Sequence, residues 1–148
     1  MFDIRMLGQD ECIKEWTSIS HFLNRALSHS RGEWTTNDIL KRVLNDEGNF
    51  QIWEVTNDQK DVVAFASTRI INYNHFDSLH IIALTGVEND EFDKWEDYAT
   101  EALEALVARV KKAGLERIEF TGRKGWMKRL KPLGWTEQYI TMDLYLGE

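Results

Sequence analysis

The chain has 148 residues, 43% of them hydrophobic, and a formal net charge of −7. This length and composition favour one compact domain spanning residues 1–148 and argue against a disordered chain. Cys12 is the one cysteine, so a single chain can build neither an internal disulfide nor a cysteine-based zinc site. We see no signal-peptide pattern and no apolar run of membrane-spanning length, and we therefore expect a cytoplasmic protein with no membrane contact.

The first half of the sequence predicts a strand, two helices and two more strands. Residues 2–7 are a short strand candidate, and residues 13–27 carry apolar side chains at helical spacing. The run from Thr36 to Asp38 offers N-caps for a second helix. Residues 50–55 and 62–71 are rich in β-branched and aromatic residues, which predicts two strands joined by a polar hairpin loop.

The second half predicts two parallel strands joined by a helical crossover. Residues 79–84 read as an apolar strand, followed by a long amphipathic helix closed by Gly114 and a strand at residues 115–120. A short basic helix and an alternating strand at residues 139–146 complete the chain. The prediction is an α/β domain with a mixed central sheet, helices on both faces and the order β-α-α-β-β-β-α-β-α-β. Ligands of such sheets bind where parallel strands end and helices begin.

This order of elements, with Leu133-Gly134-Trp135 after the last helix, resembles the GNAT superfamily of acyl-CoA-dependent N-acetyltransferases. The resemblance covers nearly the whole chain and lies in the topology rather than in motifs. It implies either an N-acetyltransferase that uses acetyl-CoA or a catalytically degenerate relative of one. Proteins that share an order of strands and helices can differ in their chemistry, so each family position needs its own test.

The family's pyrophosphate motif, Gln/Arg-x-x-Gly-x-Gly/Ala, corresponds here to the run from Lys94 to Ala99. The resemblance implies that Lys94 replaces the motif's basic residue and that Ala99 fills its last small position. Asp97 takes the place of a glycine, and two unit charges about 5 Å apart repel by roughly 3 kcal/mol at an effective dielectric near 20. We therefore expect weak or absent acetyl-CoA binding. The backbone amides implied to polarise the thioester carbonyl are those near Leu84, Thr85, Gly86 and Val87.

His80 is the candidate general base, because the family places its base on the strand before the cofactor helix and an imidazole titrates near neutral pH. The alternative is a histidine that only packs within the sheet or lies at its edge. The tyrosine with which the family protonates the departing thiolate corresponds to Leu130, which has no hydroxyl. Tyr98, Tyr139 and Tyr145 stay open as substitutes. The histidines show no metal-ligand spacing, so no metal site is expected.

The segment Gly122-Arg123-Lys124-Gly125-Trp126 follows a predicted parallel strand. Arg123 and backbone amides are suited to holding an anion, with Trp126 as a flat wall for a ring or acyl group. The alternative is a strand-to-helix turn with Trp126 in the core. Charge is polarised around this segment, since residues 88–101 hold seven acids and one lysine, whereas residues 109–131 hold nine bases and two acids.

Two further classes of function stay open. The segment also looks like that of GNAT-like proteins carried by bacteriophages, some of which are virion components, and this implies a non-catalytic docking module. Its anionic partner would contact the bases of the C-terminal third, namely Arg123, Lys124, Lys128 and Arg129. Nucleic-acid binding through residues 109–131 ranks last, because the chain is acidic overall and has no recognised nucleic-acid motif.

Overall fold

The computed structural model describes residues 3–28, 32–45, 48–86, 92–122 and 125–147, and for residues 92–100 it describes the backbone alone. The elements in chain order are β1 (Asp3–Met6), α1 (Gln9–Lys14), α2 (Trp16–Leu27), α3 (Thr36–Asn45), β2 (Phe50–Thr56), β3 (Val62–Asn72), β4 (Asp77–Gly86), α4 (Phe92–Lys112), β5 (Arg117–Phe120) and α5 (Gly125–Leu130). A 3₁₀ turn, Lys131–Leu133, follows α5.

The strands form one five-stranded sheet in the order β1-β2-β3-β4-β5. The pairs β1–β2, β2–β3 and β3–β4 are antiparallel, and the pair β4–β5 is parallel. The long helix α4 joins β4 to β5, as a parallel pair requires. The predicted mixed sheet and helical crossover are confirmed.

The predicted first helix is two helices, because Glu15 interrupts it between α1 and α2. The α3 helix is capped one residue earlier than predicted, at Thr35. Asp38 N–H donates to Thr35 Oγ1 at 3.2 Å, and Thr35 N–H donates to Asp38 Oδ2 at 3.0 Å. This reciprocal pair satisfies two backbone donors that the helix start would leave free. The bond from Thr35 N–H, followed by a side-chain hydrogen bond from Thr35, lowers the pKa of the Asp38 carboxyl.

Helices cover both faces of the sheet and create two cores. The α2-side core joins the first three helices to the sheet through Cys12, Ile19, Leu23, Ile39, Ile52, Phe65 and Ala83, among others. The α4-side core joins α4 and α5 to the opposite face through Trp53, Leu79, Ile81, Leu103, Leu106 and Leu130, among others. The strands read as apolar on both faces for this reason, and the predicted helices on both faces are confirmed.

The strand predicted at residues 139–146 is wrong for this structure. These residues have no regular secondary structure, and their large apolar side chains are 77–88% exposed. The chain reaches them through a turn in which Gly134 has φ 93° and Trp135 N–H donates to Leu130 O at 3.3 Å. A strand exists only where a neighbouring strand accepts its backbone hydrogen bonds, and within the described chain none does so here.

None of the helices among the described residues combines the length and the apolarity needed to cross a membrane.

Candidate active site

The parallel strands β4 and β5 stay together over a short distance and then separate. Their paired positions run from Ser78 with Arg117 to Ile81 with Phe120. β4 continues to Gly86, and over the described residues its last part pairs with β3 alone. The backbone edge of β4 that faces away from β3 therefore has no strand partner there. This opening lies at the carboxyl end of a parallel pair, where sheets of this type bind ligands.

A β-bulge at Ile82 marks the point of separation. Ser67 pairs with Ala83 and Thr68 pairs with Ile81, so Ile82 is an extra residue in β4. Ile81 packs in the α4-side core, whereas Ile82 and Ala83 both pack in the α2-side core. A bulge bends its strand and increases the local twist. The bend falls where pairing with β5 ends, which accounts for the opening.

A row of side chains crosses the sheet beside this opening. The strand registers align Phe50 with Arg69, Arg69 with His80, and His80 with Glu119. Paired residues point to the same face, so the row lies on the α2 side of the sheet. The ring of Trp34, which precedes α3, covers the Arg69 guanidinium at 5.3 Å. The row thus runs from Arg69, beneath the Trp34 ring, to Glu119 of β5, which borders the opening.

His80 is almost fully buried, and both of its ring nitrogens have partners. Arg69 Nε donates to Nδ1 at 3.1 Å, and Nε2 lies 2.9 Å from Thr121 Oγ1. Because a guanidinium only donates, Nδ1 must accept, and the neutral ring carries its proton on Nε2. Nε2 therefore donates to Thr121, the first residue after β5. His80 fixes the hydroxyl of Thr121 at the narrow end of the opening.

The surroundings of His80 favour its neutral form. Burial lowers the pKa of His80, the positive charge of Arg69 lowers it further, and the Glu119 carboxylate opposes both. The lone pair that would receive a proton is on Nδ1, where it already accepts from Arg69. A general-base role for His80 therefore requires the Arg69 hydrogen bond to break first.

Glu119 is a functional candidate that the sequence reasoning missed. Tyr73 donates its hydroxyl proton to Glu119 Oε1 at 3.0 Å. The other carboxylate oxygen, Oε2, is buried and has no hydrogen-bond partner among the described residues. Burial and the bond to Glu119 raise the pKa of the Tyr73 hydroxyl. An unpaired buried oxygen is costly and rare, so Oε2 marks a position suited to an N–H donor from a ligand.

The predicted carbonyl-polarising residues lie along β4 at the opening. Leu84 is half-buried against the α4-side core, and Thr85 is buried on the other face. The carbonyl of Gly86 accepts from Arg25 Nη1 of α2 at 3.4 Å, so part of this backbone is already engaged. Val87 lies outside the described residues. Their role in polarising a thioester stays a prediction.

The predicted phosphate cradle falls at the start of α4, and its role stays a prediction. The helix begins at Phe92, which places Lys94 in the first turn and Ala99 in the second. Only the first four amides of a helix lack an intrahelical acceptor. The amide of Ala99 therefore belongs to the helix itself, and the described amides free to face an anion are those of residues 92–94. Lys94 lies in the first turn of α4, and its contact with a phosphate stays a prediction.

Trp126 packs as the alternative interpretation expected. Its ring lies 5.0 Å from that of Phe120 at 55°, and it is half-buried against the α4-side core. A side chain at Gly122 would collide with the ring of Phe120, which explains the glycine. Leu130 is buried in the core and supplies no hydroxyl.

The predicted basic surface is described in part. Lys128 is exposed, and Arg129 lies over the Trp126 ring at 5.5 Å. Arg123 and Lys124 lie outside the described residues.

Neither protein-family models nor curated proteins match this sequence. The structure, in contrast, is similar to solved acetyltransferases over nearly its whole length. Glucosamine-6-phosphate N-acetyltransferase from Arabidopsis thaliana superposes with a TM-score of 0.65 and 16% identity, covering 99% of each chain. A predicted acetyltransferase from Clostridium acetobutylicum, solved with acetyl-CoA, gives 0.68 and 16% identity over 99% of this chain and 97% of its own.

A GNAT family acetyltransferase from Staphylococcus aureus gives a TM-score of 0.67 and 11% identity, covering 98% of each chain. Identities this low establish a shared fold and leave the chemistry to the residues. The fold is that of the GNAT acetyltransferases, as the order of elements predicted.

Proposed function

We propose that this protein transfers an acyl group from acyl-CoA to an amine, with the thioester held between β4 and β5. The observation that best supports this proposal is the separation of the two strands at the Ile82 bulge, directly beside the polar row that contains His80 and Glu119. The GNAT fold of the chain and the acetyl-CoA in the Clostridium acetobutylicum relative support the proposal.

The described residues at the opening are compatible with an acyl-CoA. The unpaired edge of β4 up to Gly86 offers backbone groups to the amide-bearing arm of the coenzyme. The free amides at residues 92–94 and the helix dipole of α4 favour the phosphates, whereas Asp97 and the neighbouring acids oppose them. Acyl-CoA supplies an activated thioester carbonyl and a thiolate leaving group. We expect binding weaker than in relatives with the glycine motif.

The amine acceptor must lose a proton before it can attack a carbonyl, and two groups of this chain are placed to receive it. Glu119 Oε2 lacks a partner among the described residues and suits an ammonium, which it would bind and then deprotonate. His80 is the base implied by the resemblance, but the lone pair on its Nδ1 already accepts a hydrogen bond from Arg69. We assign proton removal to Glu119 and the positioning of Thr121 to His80.

Calorimetric titration with acetyl-CoA tests the proposal before any acceptor is known. Binding is expected, with competition from CoA, and no detectable binding at millimolar ligand would contradict an acyl-CoA-dependent activity. Release of CoA by candidate amines can then be followed with a thiol reagent. Cys12 does not interfere in the folded protein, because burial raises the pKa of its thiol to about 11.

A further inference from the structure

Two arginines border the candidate active site on the α2 face of the sheet. The strand registers place Arg69 beside His80 and His80 beside Glu119, and Arg117 lies two residues before Glu119 in β5. Residues two apart in a strand share a face, and so do directly paired residues, so all four side chains project to the same side. Within the described chain, neither Arg69 nor Arg117 forms an ion pair. The site therefore contains two positive charges that no described carboxylate neutralises.

Each of the two guanidinium groups stacks on an aromatic ring. Arg69 lies 5.3 Å from the centre of the Trp34 ring, and Arg117 lies 4.3 Å from the centre of the Phe76 ring. Arg69 donates to His80 through Nε, and its other N–H groups have no acceptor among the described residues. Stacking orients a guanidinium and leaves its N–H groups free to bind a carboxylate or a phosphate. Two arginines held in this way favour a ligand that carries negative charge.

Tyr73 connects the two arginines with Glu119. Its hydroxyl donates to Glu119 Oε1 at 3.0 Å, and its ring lies 5.0 Å from that of Phe76, on which Arg117 stacks. Burial and the bond to Glu119 raise the pKa of the Tyr73 hydroxyl, and the positive charges of Arg69 and Arg117 both oppose this rise. Both guanidinium groups thus act on the hydroxyl that binds the carboxylate, so both lie near Glu119.

Two buried polar atoms at this place have no hydrogen-bond partner among the described residues. They are Glu119 Oε2 and the hydroxyl oxygen of Ser78, a residue that is fully buried. Ser78 pairs with Arg117 in the strand register and lies two residues before His80 in β4, so it is on the α2 face as well. A carboxylate oxygen accepts from an ammonium, whereas a hydroxyl can donate to an anionic oxygen. Such unpaired groups are rare, and here they suit a ligand of both charges.

The charges of this cluster favour a ligand with one cationic and one anionic group. His80 is neutral, so the cluster holds two positive charges and one negative charge. An ammonium neutralises Glu119 and leaves both guanidinium groups without a counter-charge. We infer that the acceptor is a small zwitterion, a primary amine that also carries a carboxylate or a phosphate, with its ammonium on Glu119 and its anionic group at Arg117, within the positive potential of Arg69. The inference rests on the proposed function, whose acceptor it names.

The transfer changes the amine of this acceptor and leaves its anionic group in place. The ammonium gives one proton to Glu119, and the neutral nitrogen attacks the thioester carbonyl. The C–N bond forms and the C–S bond breaks, and a second proton from the nitrogen ends on the departing thiolate, which gives the CoA thiol. The amide product has no positive charge, so it binds Glu119 more weakly than the acceptor does.

Matched amines test the inference by their rates. β-Alanine carries a carboxylate and phosphoethanolamine carries a phosphate, and propylamine and ethanolamine are their neutral counterparts. With saturating acetyl-CoA, the release of CoA is expected to give at least one anionic amine a kcat/KM about tenfold or more above that of its neutral counterpart. The better of the two anionic amines identifies the anionic group. Equal values within both pairs overturn the inference and leave acyl transfer itself intact.

Arg117→Gln tests the place of the anionic group, and Arg42→Gln is the matched control. Arg117 is exposed, so its replacement should leave the fold intact. Arg42 also lies over a ring, 5.7 Å from the centre of that of Phe50, on a strand three positions from β5 in the sheet. Arg117→Gln should lower kcat/KM by about tenfold for the anionic amine and by less than about twofold for the neutral one, whereas Arg42→Gln should change neither. An equal loss for both amines, or no loss, overturns the inference.

Nuclear magnetic resonance separates this inference from the proposed function. With or without CoA, β-alanine or phosphoethanolamine at millimolar concentration is expected to shift the amide signals of Tyr73, Glu119 and Thr121 in the native protein, and Arg117→Gln should abolish these shifts. Propylamine and ethanolamine should shift them less. The expected shifts in a protein that binds no acetyl-CoA would contradict the proposed function and support the zwitterion site. Absence of the shifts with both anionic amines, with and without CoA, overturns the inference even if acetyl-CoA binds.

Discussion

Arg69 donates a hydrogen bond to His80 across β3 and β4, from Nε to Nδ1 at 3.1 Å. This contact decides which nitrogen of the ring carries a proton, and through Nε2 it decides the orientation of Thr121 at the opening. The arrangement turns a histidine that titrates near neutral pH in isolation into a group that is neutral and fixed.

Stability should decrease as the pH falls through and below the ordinary pKa of histidine, which is 6.5. The folded-state pKa of His80 is lowered, so the unfolded chain binds more protons in this range and acid favours unfolding. The contribution of His80 is present above pH 6.5 and is lost as the pH approaches the folded value. Denaturant unfolding at several pH values measures this slope.

His80→Gln should remove this part of the pH dependence, because a glutamine does not titrate. His21→Gln, at an exposed position of α2, is the control and should leave the slope unchanged. If His80→Gln keeps the native slope, another group is responsible for it.

Substitutions of similar shape distinguish the two candidate bases, Glu119 and His80. Glu119→Gln keeps an acceptor for Tyr73 but removes the basic carboxylate, and it should lower kcat by about a hundredfold or more if Glu119 takes the proton. His80→Gln retains an acceptor for Arg69 and a donor for Thr121, so it should cost about tenfold or less. Steady-state kinetics with acetyl-CoA and an active amine give both numbers. The opposite ranking would assign the base to His80, as the resemblance implied.

The buried hydroxyls of Thr68 and Ser67 should differ sharply in their effect on stability. Trp53 Nε1 donates to Thr68 Oγ1 at 2.8 Å, and Thr68 donates to Gln51 Oε1 at 2.7 Å. Thr68→Val leaves both partners unpaired and should lower the free energy of unfolding by about 2–4 kcal/mol.

Ser67 is the matched control, because it is equally buried but its hydroxyl has no partner among the described residues. Ser67→Ala should change the free energy of unfolding by less than about 1 kcal/mol. Equal losses for the two variants would show that side-chain volume, rather than hydrogen bonding, determines the cost.

Asp97→Asn should strengthen acetyl-CoA binding if the phosphates sit at the start of α4. Removing one negative charge near the free amides reduces repulsion of up to roughly 3 kcal/mol at close range, so a tightening of about tenfold is expected. Asparagine keeps the shape of the side chain and avoids the helix penalty of glycine. Calorimetry compares it with Glu104→Gln, an exposed position farther along α4. Equal affinities for native and Asp97→Asn protein would place the phosphates elsewhere.

Sequence patterns were sufficient for the elements whose partners lie close by or whose periodicity is strong. The apolar strand at residues 79–84 and the helix closed by Gly114 needed only periodicity and a turn signal to be recognised, and the crossover then implied parallel pairing. The family topology followed from this order, although no family model matches the chain.

The site depended on information that periodicity lacks. Glu119 became a candidate only when the register placed it beside His80 and left Oε2 without a partner. The strand at residues 139–146 failed for a related reason. Alternation shows which face of a segment is apolar, but it does not show whether a neighbouring edge is available to pair with it.

The extra residue at Ile82 reverses which positions of β4 face each side of the sheet. Before it, His80 is on the α2 side and the odd-numbered Leu79 and Ile81 are in the α4-side core; beyond it, the even-numbered Leu84 faces α4. Even-numbered positions of β4 therefore face α2 before the bulge, as at His80 in the polar row, and face α4 after it, as at Leu84 in the core. Loss of Ile82 would remove the bulge and leave Thr68 paired with Ile81 and Ser67 paired with Ala83, so Leu84 and Thr85 would keep their present faces. Deletion of this one residue is therefore expected to preserve the faces of the flanking side chains while it straightens β4 at the opening.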